Sequence, residues 1–168
     1  MDEDEESLLM RMKELALKRG YSWVKCLSEE ELAQAEALLG FPLPLLLKRI
    51  YLEVGEGAFG LSPLSQEQWT GLEMPLVERY IGLRSESEED EKRECSWPEK
   101  LLILYDWGCN IYSCVDCASP GQRVVRNDNN RDPDAYALEA PSLQQWLQAL
   151  LDGVLLHFDW DTAEKVPF

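Results

Sequence analysis

The chain has 168 residues, 45% of them apolar, with 32 acidic against 16 basic side chains and a formal net charge of −16. That size supports one well-buried core and a single domain spanning residues 1–168. A field of that sign repels nucleic acid and anionic membrane and so argues against both as partners; it favours a basic protein partner by speeding encounter with it.

No run of about eighteen apolar residues occurs, so no transmembrane helix is expected. The N-terminal MDEDEESLL is acidic where a signal peptide is basic, and five cysteines without such a signal point to reduced thiols in a cytoplasm.

In chain order, Leu8, Leu9, Met12, Leu15 and Ala16 recur at helical spacing behind the acid run Asp2 to Glu6, and Gly20 ends that helix. Tyr21 to Leu27 is a connector or a short strand carrying Trp23 and Val24. Ser28 with Glu31 spells a capping box. It opens a helix with Leu32, Ala35, Leu38 and Leu39 inward, and Gly40 is its left-handed C′ residue. Pro42 and Pro44 make a corner. A second helix then carries Leu46, Leu47, Ile50, Tyr51 and Val54 before the loop of Gly55, Gly57 and Gly60. Ser62-Pro63 and Ser65 read as turns, with Trp69 an anchor. Pro75 starts a helix presenting Leu76, Tyr80 and Leu83. The stretch 85–94, SESEEDEKRE, lacks apolar residues and is expected as a solvated loop.

The second half reads as sheet. Leu101 to Tyr105 is a buried strand, Asp106 to Asn110 a turn, Ile111 to Cys117 a second strand, and Arg123 to Arg126 a third. Along the second strand, alternation separates Ser113 and Val115 from Tyr112 and Cys114. Asn127 to Asp134, Asp128 included, is expected as a polar loop. Ser142 caps a last helix with Gln145 at N3, and the tail adds an edge strand or packs loosely. Helices, then a meander, then a helix indicate an α+β fold with a largely antiparallel sheet flanked by helices.

The ordered combination of LGFPLP, the following helix ending in GEGAFG, Trp97-Pro98 before LLILYDWGC, and IYSCVDC-x-SPG-x-RVV resembles the SUKH superfamily over about residues 28–151. That superfamily includes bacterial toxin-immunity proteins and yeast cell-wall assembly regulators. The resemblance implies a non-enzymatic domain without cofactors that binds and neutralises a toxin domain, often a nuclease or deaminase. The alternative it leaves open is a regulatory or scaffold domain that recruits a partner without inhibiting it.

Among individual residues, Asp106, Trp107 and Asn110 put an acid and an aromatic on one turn beside a sheet edge, the composition of an interface hot spot. The other reading is a core tryptophan beside a turn acid. Glu53 and Glu56 flank the glycine loop, and Asp128 sits in the polar loop; all are candidate partner contacts. Cys109, Cys114 and Cys117, with Cys95 or His157, have a count that suits zinc. However, Cys114 and Cys117 fall on opposite strand faces, and buried inert thiols are expected instead, with no metal. Asp132-x-Asp134 and Asp159-Trp160-Asp161 lack the glycine and distal glutamate of a calcium loop. No Walker loop, nucleophile elbow or basic aromatic surface is present.

Overall fold

The computed structural model describes residues 4–21, 24–64, 74–89 and 97–168. The chain divides into two compact units, Met1–Val77 and Glu78–Phe168. The first is helical and the second carries an antiparallel sheet, so the protein is α+β.

The first unit contains α1 (Glu5–Lys18), α2 (Glu29–Leu39) and α3 (Leu45–Glu53). Asp4 opens α1 by accepting the Ser7 N–H at 2.8 Å, and Leu8, Leu9 and Met12 form its buried stripe. At α2 the capping box closes as spelled: the Glu31 N–H donates to Ser28 Oγ at 3.2 Å, and the Ser28 N–H donates to the Glu31 carboxylate at 2.7 Å. Lys25 Nζ donates to the same carboxylate, and together with Ser28 it holds the Glu31 carboxyl down at about 2. Leu38, expected inside, is 65% exposed, because Leu32, Ala35 and Leu39 define a narrow stripe that leaves it at the edge. Gly40 takes the left-handed conformation expected of it, and Pro44 directly precedes α3. Leu46, Leu47, Ile50 and Tyr51 are buried, and the Tyr51 hydroxyl donates to the Ser62 carbonyl at 2.9 Å. Gly55 has φ 127°, and a Cβ there would lie 2.1 Å from Val24 Cγ1, so only glycine fits. Residues 24–27 form no strand; Trp23 and Trp69 lie outside the described residues.

α4 (Leu76–Glu89) follows Pro75 as expected but continues into the acid stretch read as a loop. Glutamates are good helix formers, and a polar run without glycine or proline does not stop a helix. Residues 90–94 of that loop lie outside the described residues.

The sheet of the second unit has five antiparallel strands in chain order: β1 (Leu101–Gly108), β2 (Ile111–Asp116), β3 (Val124–Asp128), β4 (Asp132–Ala140) and β5 (Lys165–Val166). α5 (Leu143–Leu151) joins β4 to the tail, and Ser142 caps it by accepting the Gln145 N–H. Three boundaries differ from expectation. β1 runs through Asp106 and Trp107 to Gly108, so the turn is only Cys109–Asn110, both at positive φ as a tight hairpin requires. β3 extends through Asn127 and Asp128. Of the rest of the expected loop, Asn129 to Arg131 remain the turn and Asp132 to Asp134 open β4, whose alanines and glutamate argue against a strand until β3 and β5 supply its hydrogen bonds. The tail does add an edge strand.

One sheet face closes over Leu101, Ile103, Cys114, Val125 and Tyr136, with Leu83 of α4 and Trp97 packed against them. Facing the opposite way, α5 buries Leu143, Trp146 and Leu147.

Candidate partner-binding face

Alternation along β2 sends Ser113 to the face opposite Cys114, and the register seats it between Tyr105 of β1 and Arg126 of β3. On β4 the register shifts beside Val124, and Glu139 emerges there with its side chain 0% exposed. Its carboxylate accepts from the Ser113 hydroxyl at 2.5 Å, from Trp146 Nε1 at 2.8 Å, and from the Arg126 guanidinium. Ser113 Oγ in turn accepts from Trp107 Nε1 at 2.7 Å. The Arg126 guanidinium lies 4.7 Å from the Trp107 ring centroid and 4.4 Å from that of Phe158. It also donates to the Leu155 carbonyl at 3.5 Å. Tyr105 packs 4.5 Å from Trp107. A buried acid therefore fixes one arginine, and that arginine fixes two aromatic rings.

Desolvating a carboxylate costs several kcal/mol, offset only when its lone pairs are filled, as they are here. Burial pushes the Glu139 carboxyl above its ordinary 4.5, against the pull of Arg126, Ser113 and Trp146.

The sequence candidates separate between the units. Asp106, Trp107, Asn110 and Asp128 belong to the sheet unit. Asp106 pairs with Arg79 of α4 at 3.3 Å and accepts the Gly108 N–H at 2.8 Å. Trp107, next along β1, is part-buried and belongs to the Glu139 network. The Asn110 carbonyl accepts the Asn129 N–H at 3.1 Å, and Asn130 Nδ2 donates to the Cys109 carbonyl. These bonds tie the β1–β2 and β3–β4 turns together at one end of the sheet. Asp128, only 8% exposed, accepts the Asn130 N–H at 3.1 Å and pairs with Arg131, which also holds Asp161 at 2.6 Å.

Glu53 and Glu56 lie in the helical unit. Glu53 pairs with Arg49 at 2.8 Å and Lys13 at 2.6 Å, and these two cations hold its carboxyl below the ordinary value. Glu56 corrects the sequence reading. It is 1% exposed, so it presents no carboxylate to a partner, and it accepts the Leu64 N–H at 2.7 Å across the glycine loop.

Cys114 is buried, and burial pushes its thiol well above the usual range; Cys117 is pushed up to about 12. Neither supplies a thiolate near neutral pH. Among the described residues no three His, Cys, Asp or Glu side chains are grouped to hold a metal, and no helix is long and apolar enough to cross a membrane. Cys95 lies outside the described residues.

Sequence reasoning missed Glu139, Arg126 and Phe158. The signal was a lone acid in an alternating small-apolar stretch, Ala-Leu-Glu-Ala, one hairpin away from Arg-Val-Val-Arg. It became readable only once β4 was recognised as a strand paired with β3.

Helices leading into an antiparallel meander backed by α5 define an α+β protein of segregated elements. The model of the SMI1 / KNR4 family (SUKH-1) matches residues 26–149, and the chain belongs to that family. No curated protein matches the sequence.

Proposed function

We propose that this chain is a cytoplasmic immunity protein that binds a cognate bacterial toxin domain and neutralises it without chemistry of its own. The toxin is a basic nuclease or deaminase. Membership of the SUKH-1 family supports a protein-binding role, since toxin-immunity proteins are among the superfamily's members. The observation that carries the toxin class is the net charge of −16. An enzyme that grips nucleic acid needs a positive cleft, and an acidic protein is attracted to that cleft as its substrate is. Coulomb attraction raises the rate of encounter, and buried anchors set residence time.

The test is co-expression in bacteria with the toxin domain encoded beside the gene. Restored growth together with a complex that survives purification is expected. A stable complex without restored growth would instead mark a scaffold or regulatory domain. No complex, despite well-folded protein, would overturn the reading.

A further inference from the structure

Residues 152–164 read DGVLLHFDWDTAE, with four acids. Lys165, next in the chain, lies over Trp160 and donates to the Trp160 and Ala163 carbonyls, and Arg131 pairs with Asp161, so the strip keeps an excess of negative charge over these two cations. The strip lies beyond residues 26–149 matched by the family model. It is held in place. Gly153, at φ 73°, ends α5 and leads into a 3-10 turn, Val154–His157. Leu155 is buried and plugs the turn, while Val154 is 60% and Leu156 74% exposed. Arg126, fixed by Glu139, stacks on Phe158 and donates to the Leu155 carbonyl. Asp159 accepts from the Asp161 N–H at 3.0 Å and from Thr162 Oγ1 at 2.9 Å, and Asp161 is tied to Arg131.

We propose that this strip is the docking surface, and that its occupant is a basic segment of the toxin domain carrying an apolar anchor flanked by lysine or arginine. The assignment rests on the immunity reading above. Exposed aliphatic side chains gain by being covered, and the surrounding carboxylates choose what covers them. An acidic partner is repelled. A second copy of this chain is disfavoured because it would bring two negative strips together. A surface already held by Arg126 and Arg131 loses little further conformational freedom on binding, which favours tight association.

The test uses calorimetry of the full chain against the purified toxin domain encoded beside the gene. Leu156→Asp alters an exposed side chain, so its fold should be intact by circular dichroism. It is expected to weaken binding by about thirtyfold or more, as loss of a central anchor does. Glu164→Lys is expected to slow association and flatten its dependence on salt. Leu38→Asp, an equally exposed leucine on α2, is expected to bind as wild type does. If wild type binds and Leu156→Asp binds equally well, the docking surface is wrong and the immunity reading stands. A wild-type protein that does not bind overturns that reading and this occupant with it. Self-association of wild type that Leu156→Asp abolishes would make a second copy the occupant and overturn the proposal.

Discussion

One face of the sheet closes over Leu101, Ile103, Cys114, Val125 and Tyr136, with no charge in the cluster, while the other closes over the Glu139 carboxylate and its donors. The first is held by non-directional burial, which tolerates exchange of one apolar shape for another. The second is directional: each partner has one position, and losing one strands the others. The second places Trp107 and Phe158 on one arginine, Arg126, which the buried carboxylate itself holds. Burial alone suffices for stability, whereas the network spends polar atoms on placing side chains.

Glu139→Ala should be the most damaging single change. It leaves Arg126 and the Trp146 N–H buried without their partner, and a loss of about 4 kcal/mol in urea unfolding is expected. The pair Glu139→Leu with Arg126→Met should recover the part of that loss that comes from the stranded arginine, because a well-packed apolar pair can replace a buried ion pair, while the Trp146 N–H stays without its acceptor. The double variant should nonetheless bind the toxin domain more weakly, since Phe158 loses its guanidinium. Equal binding would break the distinction between the faces.

On the apolar face, Ile103→Ala should cost about 3 kcal/mol through the cavity it leaves, with toxin affinity unchanged at temperatures where the fold holds. Ser113→Ala is milder. It removes the acceptor of the Trp107 N–H and one donor to Glu139, and about 1–2 kcal/mol is expected by thermal unfolding.

The smallest effect is a slope with pH. Folding raises the Glu139 pKa above its ordinary 4.5, so this group's contribution is fully present below that value and is lost as pH rises through the folded value. Glu139→Gln, which resembles the protonated acid, should lack the slope and cost less than Glu139→Ala. Glu53 runs the opposite way. Arg49 and Lys13 lower its pKa, so its contribution is present above 4.5 and lost as pH falls through the folded value. Stability curves of wild type, Glu139→Gln and Glu53→Gln from pH 3 to 8, a span of about one unit beyond the carboxylate range on the acid side, separate the two slopes.

What could be read from the sequence was local. The Ser28 capping box, Gly40, the hairpin strands and the Ser142 cap each depend on residues within one turn or one strand. The Cys114 face follows from period-two alternation along β2. β4 was hidden because Ala135, Ala137 and Ala140 carry little strand preference of their own, and the Glu139–Arg126 pair was hidden with it. Glu56 misled for a related reason. An acid beside glycines looks solvated until Leu64, eight residues on, returns to it. Trp107 sits on β1 rather than on the turn, with its ring part-buried and its N–H committed to Ser113.

The most direct test of the central claim is hydrogen exchange on the chain alone and in complex with the toxin domain encoded beside its gene. Protection concentrated in residues 152–164 is the expected result. Protection confined to α1, α2 and α3, with 152–164 exchanging as in the free chain, would contradict it.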